Sequence, residues 1–347
     1  MKIALCTSPL STASKTRGVG VYTRELISAL RSGFPADEFV ETIGNPYSVQ
    51  ADLIHFPFFD PYYLTLPWIF PTPTVVTIHD LIPLKYPTHF PAGYRGRFKW
   101  LIQRFRASRA SGIITDSASS AEDIHTILGI KKERIHVVPL ASATARTAIS
   151  LAPKLKKLYS LPERYILYVG DVNWNKNLPG LIKAFSRLSS ASTHLVLVGK
   201  VFADKPAIPE YKAVEKAIAD SGKPKLIHLL GYVPSHHLGG IYHGATLYCQ
   251  PSWDEGFGLP VLEAMKAGCP VLTSNRGSLS EVAGEAAVYF DPGKDDLTEI
   301  LESLLASSVK RATLTSAGIL QAKRFTWAKT AELTRGVYER HLSLLRH

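Results

Sequence analysis

Short aliphatic and β-branched runs recur through this chain, and longer amphipathic stretches separate most of them. That alternation constrains the fold more than any other feature. It calls for parallel sheets with helices packed on both faces. Strands are expected at 2–7, 39–43, 53–56, 74–78, 113–115 and 135–138, and again at 165–169, 194–198, 226–229, 246–250, 270–273 and 287–290. A chain of 347 residues can bury two separate cores. The fold class is therefore α/β, with two Rossmann-like, doubly wound parallel-sheet domains in tandem. The first is expected at 1–145 and the second at 161–325, with 146–160 as a linker that lacks strand character. Residues 326–347 read as a helix, with Leu333, Val337, Leu342 and Leu345 near one face. It is expected to pack back on the first domain.

Ligands of open α/β sheets bind beyond the carboxyl ends of the strands. Seven positions of interest fall there: Gly18 and Gly20, His79 with Asp80, Gly170, Gly199 with Lys200, Gly231, Glu255 and Asn275. Their common placement implies a cleft lined by both halves.

The densest of these segments runs from Pro251 to Cys269. Pro260 suits a first helical position, where a missing N–H costs nothing, and Gly268 suits the residue just past a helix end. The spacing predicts a short helix over roughly 260–267. Gly256 and Gly258 let backbone amides come close to a ligand, and those amides together with the helix's positive end suit a diphosphate. Glu255 and Glu263 can each accept two hydroxyl hydrogen bonds, which suits a sugar or ribose diol. The plain alternative is a strand–loop–helix corner with a solvated Glu255 and a capping Glu263.

Charge and cysteine content narrow the class. No apolar run approaches the ~20 residues that span a bilayer, and no signal-peptide cleavage pattern follows the N-terminus. Cys6, Cys249 and Cys269 are scattered, which suggests neither a disulfide framework nor a zinc cluster and points to a reducing cytoplasm. The formal net charge is +11, and from Lys85 to Thr115 there are seven Lys/Arg and no Asp or Glu. Within 94–109, Tyr94, Phe98, Leu101, Ile102 and Phe105 form one apolar stripe at helical spacing. Arg97 and Arg104 flank one side, Arg95, Lys99 and Arg106 the other, and Trp100 projects away from it. Two readings stand open. One is a core-packed helix with a solvated basic face. The other is a helix that meets anionic lipid or a lipid-linked acceptor through Arg95, Arg97, Lys99, Trp100 and Arg104, with Trp100 at the interface. The second would place a cytoplasmic protein peripherally at the inner face of the plasma membrane.

The motifs resemble those of the retaining glycosyltransferases of family 4, also called group 1, which have the two-domain GT-B fold. The resemblance covers essentially the whole chain. It rests on EGFGLPVLEAMKAG at 255–268, SEVAG at 280–284, YFDPGKDD at 289–296, LYVGDVNWNKNLPGLIKAF at 167–185 and LGYVPSHHLGGIYHGATLYCQPS at 230–252. TRGVGVYTREL at 16–26 and TIHDLIPLKYP at 77–87 match in the first half, the last being similar to bacterial mannosyltransferases of surface polysaccharide assembly. The resemblance implies that Glu255 contacts the donor sugar, while backbone amides of Gly256, Phe257, Gly258 and Leu259 hold sugar hydroxyls and the β-phosphate. It gives Glu263 the ribose, Lys176 with Asn173 the diphosphate region, and His79 the transferred sugar. It brings Gly18 and Gly20 near phosphates and acceptor, and Tyr232 and Val233 near the base. In one departure, Asp171 stands where the family often has an arginine; Arg276, Lys200 or Arg17 are the candidate substitutes.

The expected function is metal-independent transfer of a hexose with retention of anomeric configuration, most of all mannose from GDP-mannose, to a saccharide or lipid-linked hydroxyl. UDP-hexoses are the alternative donors. No Asp-X-Asp triplet occurs, so neither a divalent metal nor a cofactor beyond the nucleotide-sugar co-substrate is implied. A GT-B-like epimerase would differ in needing no acceptor. A nicotinamide-dependent oxidoreductase is disfavoured, because Thr23 occupies the third glycine position of the dinucleotide fingerprint. A basic scaffold or nucleic-acid binder would leave the two glutamates without a purpose, and no RNA-binding motif accompanies the basic stretch.

Overall fold

The structure, a computed structural model, describes residues 1–11, 18–143 and 152–344. The chain divides into two compact units, Met1–Ala141 with Phe325–His347, and Ser142–Arg324.

In the first unit β1 (Lys2–Cys6), β2 (Glu38–Thr42), β3 (Leu53–Phe56), β4 (Thr74–Thr77), β5 (Gly112–Thr115) and β6 (Ile135–Val137) form one parallel sheet in the order β2-β1-β3-β4-β5-β6. In the second, β7 (Tyr165–Val169), β8 (His194–Val198), β9 (Ile227–Leu230), β10 (Leu247–Gln250), β11 (Val271–Ser274) and β12 (Val288–Phe290) form another, in the order β12-β11-β10-β7-β8-β9. All twelve expected strands form, each within one residue at either end. The inner strands are apolar on both faces because helices cover both. Leu53 and Ile54 of β3 are fully buried, as are Leu195 to Leu197 of β8.

The helix Trp327–Ser343 belongs to the first unit. Arg335 Nε pairs with Asp37 at 2.6 Å, and Thr330 Oγ1 donates to the Pro139 carbonyl at 2.8 Å. Within the segment expected as a linker, 146–151 lie outside the described residues. Ala152–Leu158 is helical and part of the second unit.

His55 of β3 is fully buried, with Nδ1 2.7 Å from the Tyr338 hydroxyl and Nε2 2.8 Å from Thr77 Oγ1. Burial, with His79 nearby, pushes its pKa down to about 3. A depressed histidine contributes stability that is complete above the unfolded value of about 6.5 and is lost as pH falls toward the folded one. This group alone should therefore cost about 2 kcal/mol between pH 6.5 and pH 5. Urea unfolding of the parent and of His55→Gln at both pH values checks this: the variant should lose that part of the slope.

The helix Gly93–Ser108 forms as its period predicts, but it packs the opposite way from the core-packed reading. The stripe faces out: Tyr94 is 91% exposed, Phe98 66%, Leu101 60% and Phe105 50%. The buried face carries Gln103, Arg106 and Ala107. Gln103 Nε2 donates to the Asp60 carbonyl (3.0 Å) and to Thr65 Oγ1 (2.7 Å), and Arg106 donates to the Leu66 carbonyl at 2.5 Å. Polar side chains are inside because they satisfy a neighbouring segment's backbone, which an apolar count cannot register. Trp100 is corrected with them. It packs against the buried cluster of Ile54, Val76 and Ile113 and is not the interface residue.

Candidate active site

The strand order of the second unit reverses between β7 and β10, the place where open α/β sheets leave a crevice beyond their carboxyl ends. The loop after β7 carries Lys176 and the loop after β10 carries Glu255, and they meet there. Lys176 Nζ lies 2.8 Å from both carboxylate oxygens of Glu255.

The loop at 251–258 is held by its carbonyls. Asn175 Nδ2 donates to Asp254 O and Asn177 Nδ2 to Pro251 O, each at 3.0 Å. Ser274 Oγ donates to Ser252 O at 2.6 Å, and Ser278 gives Glu255 O both its hydroxyl (3.0 Å) and its amide (3.1 Å). Gly277 permits this approach. It sits at φ +59, and a Cβ there would come within 2.4 Å of Asp254 Oδ1 and 2.5 Å of Glu255 O. Gly258, at φ +92, caps the helix Leu259–Lys266, with Pro260 in its first turn and Gly268 left-handed beyond its end at φ +77. The helix thus starts one residue earlier than the proline suggests. Its amide end opens on the same loop.

Glu255 is only 6% exposed, so its carboxylate needs several partners. Besides Lys176, Gln250 Nε2 donates to Oε1 at 2.8 Å and Ser252 Oγ at 2.6 Å. Tyr248 in turn donates to Gln250 Oε1. Glu263 accepts a 3.0 Å hydrogen bond from the Tyr242 hydroxyl. Burial and the neighbouring carboxylates raise the pKa of Tyr242 and Tyr248 well above the usual phenol value, so both remain donors. Glu255 is thus aimed by an amide, a hydroxyl and one cation, and Glu263 by a neutral phenol hydroxyl.

The remaining expected contacts are spread around the same strand ends. Asn173 is exposed ahead of the turn Trp174–Lys176. Lys200 is exposed and pairs loosely with Asp204 at 3.6 Å. Tyr232 is exposed, while the Val233 side chain is buried, as is Phe257; Gly256 and Leu259 are half-buried. Of the cations considered for the place held by Asp171, Arg276 is tied to Asp291 at 2.6 Å and Arg17 lies outside the described residues. Gly18 and Gly20 lie in the first turn of the helix Gly18–Gly33.

In the first unit His79 follows β4, and Asp116 follows its parallel neighbour β5. Equal strand ends bring them together, with His79 Nδ1 2.7 Å from Asp116 Oδ2. Tyr22 packs its ring edge-on at 4.7 Å. Burial opposes a charged imidazole, but Asp116 and its hydrogen bond, with Asp80 adding, outweigh it and raise the His79 pKa. The opposite nitrogen, Nε2, is buried and makes no close hydrogen bond among the described residues, while the Pro57 backbone beside the ring adds to the rise.

Family models for the glycosyl transferases group 1 and for glycosyltransferase family 4 match residues 154–321 and 38–146. The O-antigen chain mannosyltransferase B of Escherichia coli is 32% identical over 275 residues, covering 76% of this chain and 70% of that protein. This chain belongs to the group 1 glycosyltransferases. It is a hexosyltransferase enzyme. The serotype-specific mannosyltransferase WbdA of E. coli is 30% identical over 274 residues, 76% of this chain but 33% of WbdA, so the chain matches about a third of that relative's length. Sucrose-phosphate synthase of Thermosynechococcus elongatus superposes with a TM-score of 0.76 at 19% identity, over 99% of this chain and 100% of that one. The two parallel six-stranded sheets with flanking helices are the GT-B fold.

Sequence reasoning missed Asp116, Gln250, Ser252 and Tyr242. Asp116 carried a readable signal, since it ends a strand beside the one that His79 ends. Gln250 and Ser252 showed one too, as polar residues at the end of a buried strand. Tyr242 had none, because its reach to Glu263 depends on helix packing.

Proposed function

We propose that this glycosyltransferase moves mannose from GDP-mannose to a saccharide or lipid-linked hydroxyl, with retention and without a metal. The Lys176–Glu255 pair at the switch point of the second sheet carries the reading, because it puts a cation and a sugar-binding acid side by side. The 32% identity to a mannosyltransferase supports the sugar. Departure of a diphosphate from an oxocarbenium-like sugar is the barrier, and fixed donors that meet the growing phosphate charge lower it. Backbone amides at 256–259 and the helix end take the β-phosphate, and Lys176 shifts from Glu255 toward the diphosphate as donor enters. Glu255 then accepts from the sugar hydroxyls, and Glu263 accepts from the ribose. His79 donates from Nε2 to the transferred sugar.

A transfer panel tests this with GDP-mannose, UDP-glucose, UDP-galactose and ADP-glucose, with and without EDTA, the product anomer being read by NMR. GDP-mannose should be used at least about tenfold faster than the others, a discrimination of ~1.4 kcal/mol. EDTA should not change the rate and the product should be α. Preference for a UDP-hexose, EDTA sensitivity or a β product would each overturn the corresponding part.

A further inference from the structure

The outward stripe of the helix Gly93–Ser108 is extended by a second segment. Tyr63, Leu64, Trp68 and Ile69 are also largely exposed. This segment is fastened beside the helix: Lys99 Nζ stands 5.3 Å over the Tyr63 ring, and the Arg106 guanidinium 4.2 Å over the Trp68 ring. Large apolar side chains gathered on one surface mark something that covers them. Arg95, Arg97 and Arg104 are exposed around the stripe, and between Asp80 and Asp116 the chain has no acidic residue. Asp60, at the segment's start, has its carboxylate capped by the amides of Tyr62 and Tyr63. Tyr94 and Arg97 also border a cavity of about 480 Å³, shared with Tyr62, Pro87, Phe90 and Trp100. No described helix is long and apolar enough to cross a membrane.

We propose that this face docks on an anionic lipid bilayer. The apolar stripe and the aromatic segment enter the headgroup boundary while the arginines remain among lipid phosphates. Charge selects the occupant. A second copy would set the same arginines against each other, whereas an anionic surface attracts each nearby Lys or Arg. The stripe is opposite the face that holds the helix to its own unit, so the helix can insert without unfolding. The inference is independent of the donor assignment, and either can fail alone.

Flotation of the full chain with phosphatidylcholine vesicles, with and without 30 mol% phosphatidylglycerol, tests it. Partition should be at least tenfold stronger on the anionic vesicles and should weaken in 500 mM salt. The double variants Phe98→Ser/Leu101→Ser and Arg95→Glu/Arg104→Glu should each lose at least tenfold, with unchanged thermal unfolding because all four side chains are exposed. No binding to anionic vesicles at low salt overturns the proposal. So does binding that the Phe98→Ser/Leu101→Ser variant retains, which would be charge adsorption alone. A parent dimer that this variant dissociates would assign the face to a second copy instead.

Discussion

Glu255→Gln should lower sugar transfer by about 10²–10³-fold, the loss typical of removing one oriented transition-state partner. Glutamine keeps an oxygen for Gln250 and Ser252 but removes the charge that Lys176 meets at 2.8 Å. Alanine is a poorer test. It strips a partner from Lys176, Gln250 and Ser252 together and leaves buried donors unsatisfied. Two measurements separate the role in transfer from a role in packing. Steady-state kinetics should show the loss in kcat, and calorimetric titration of the nucleoside diphosphate should show affinity kept or raised, since Lys176 is freed for phosphate. Turnover within threefold of the parent would remove Glu255 from the reaction.

The placement of Glu255 was legible in the sequence, but its environment was not. The strand at 247–250 shows as a buried run, and Pro260 with Gly268 brackets the helix that follows. Those signals are local. That Lys176 faces Glu255 depends on β10 lying beside β7, the two side chains being 79 positions apart in sequence. No local periodicity carries sheet order. The same limit explains the helix at 93–108. Its period shows that an apolar stripe exists, but which side meets the protein is settled by Gln103 and Arg106 reaching backbone carbonyls near 60–66. Resemblance to a family supplied roles for single residues. It did not supply the hydroxyls and amides that aim them, and here Tyr242, Gln250, Ser252 and Asp116 do that aiming.

Asp116→Asn should lower kcat by about 10²-fold, while His79→Ala should cost at least as much. Asp116 acts through His79 and is a positioning residue. Its carboxylate pairs with Nδ1 and raises the imidazole pKa against the effect of burial, which favours the ring form that carries a proton on Nε2 as well. With asparagine the burial remains and the larger counter-charge is gone, leaving only the weaker pull of Asp80 and the Pro57 backbone. The His79 pKa should then fall below its ordinary value, and the ring should be neutral at pH 7 with Nε2 free to lose its proton. Titration of the histidine ring signals by NMR reads this directly, and a drop of at least one unit is expected. The activity of the variant should recover as pH is lowered and the ring recharges, which a merely structural defect would not reproduce. An unshifted His79 titration with full activity would show that the pair holds only β4 to β5.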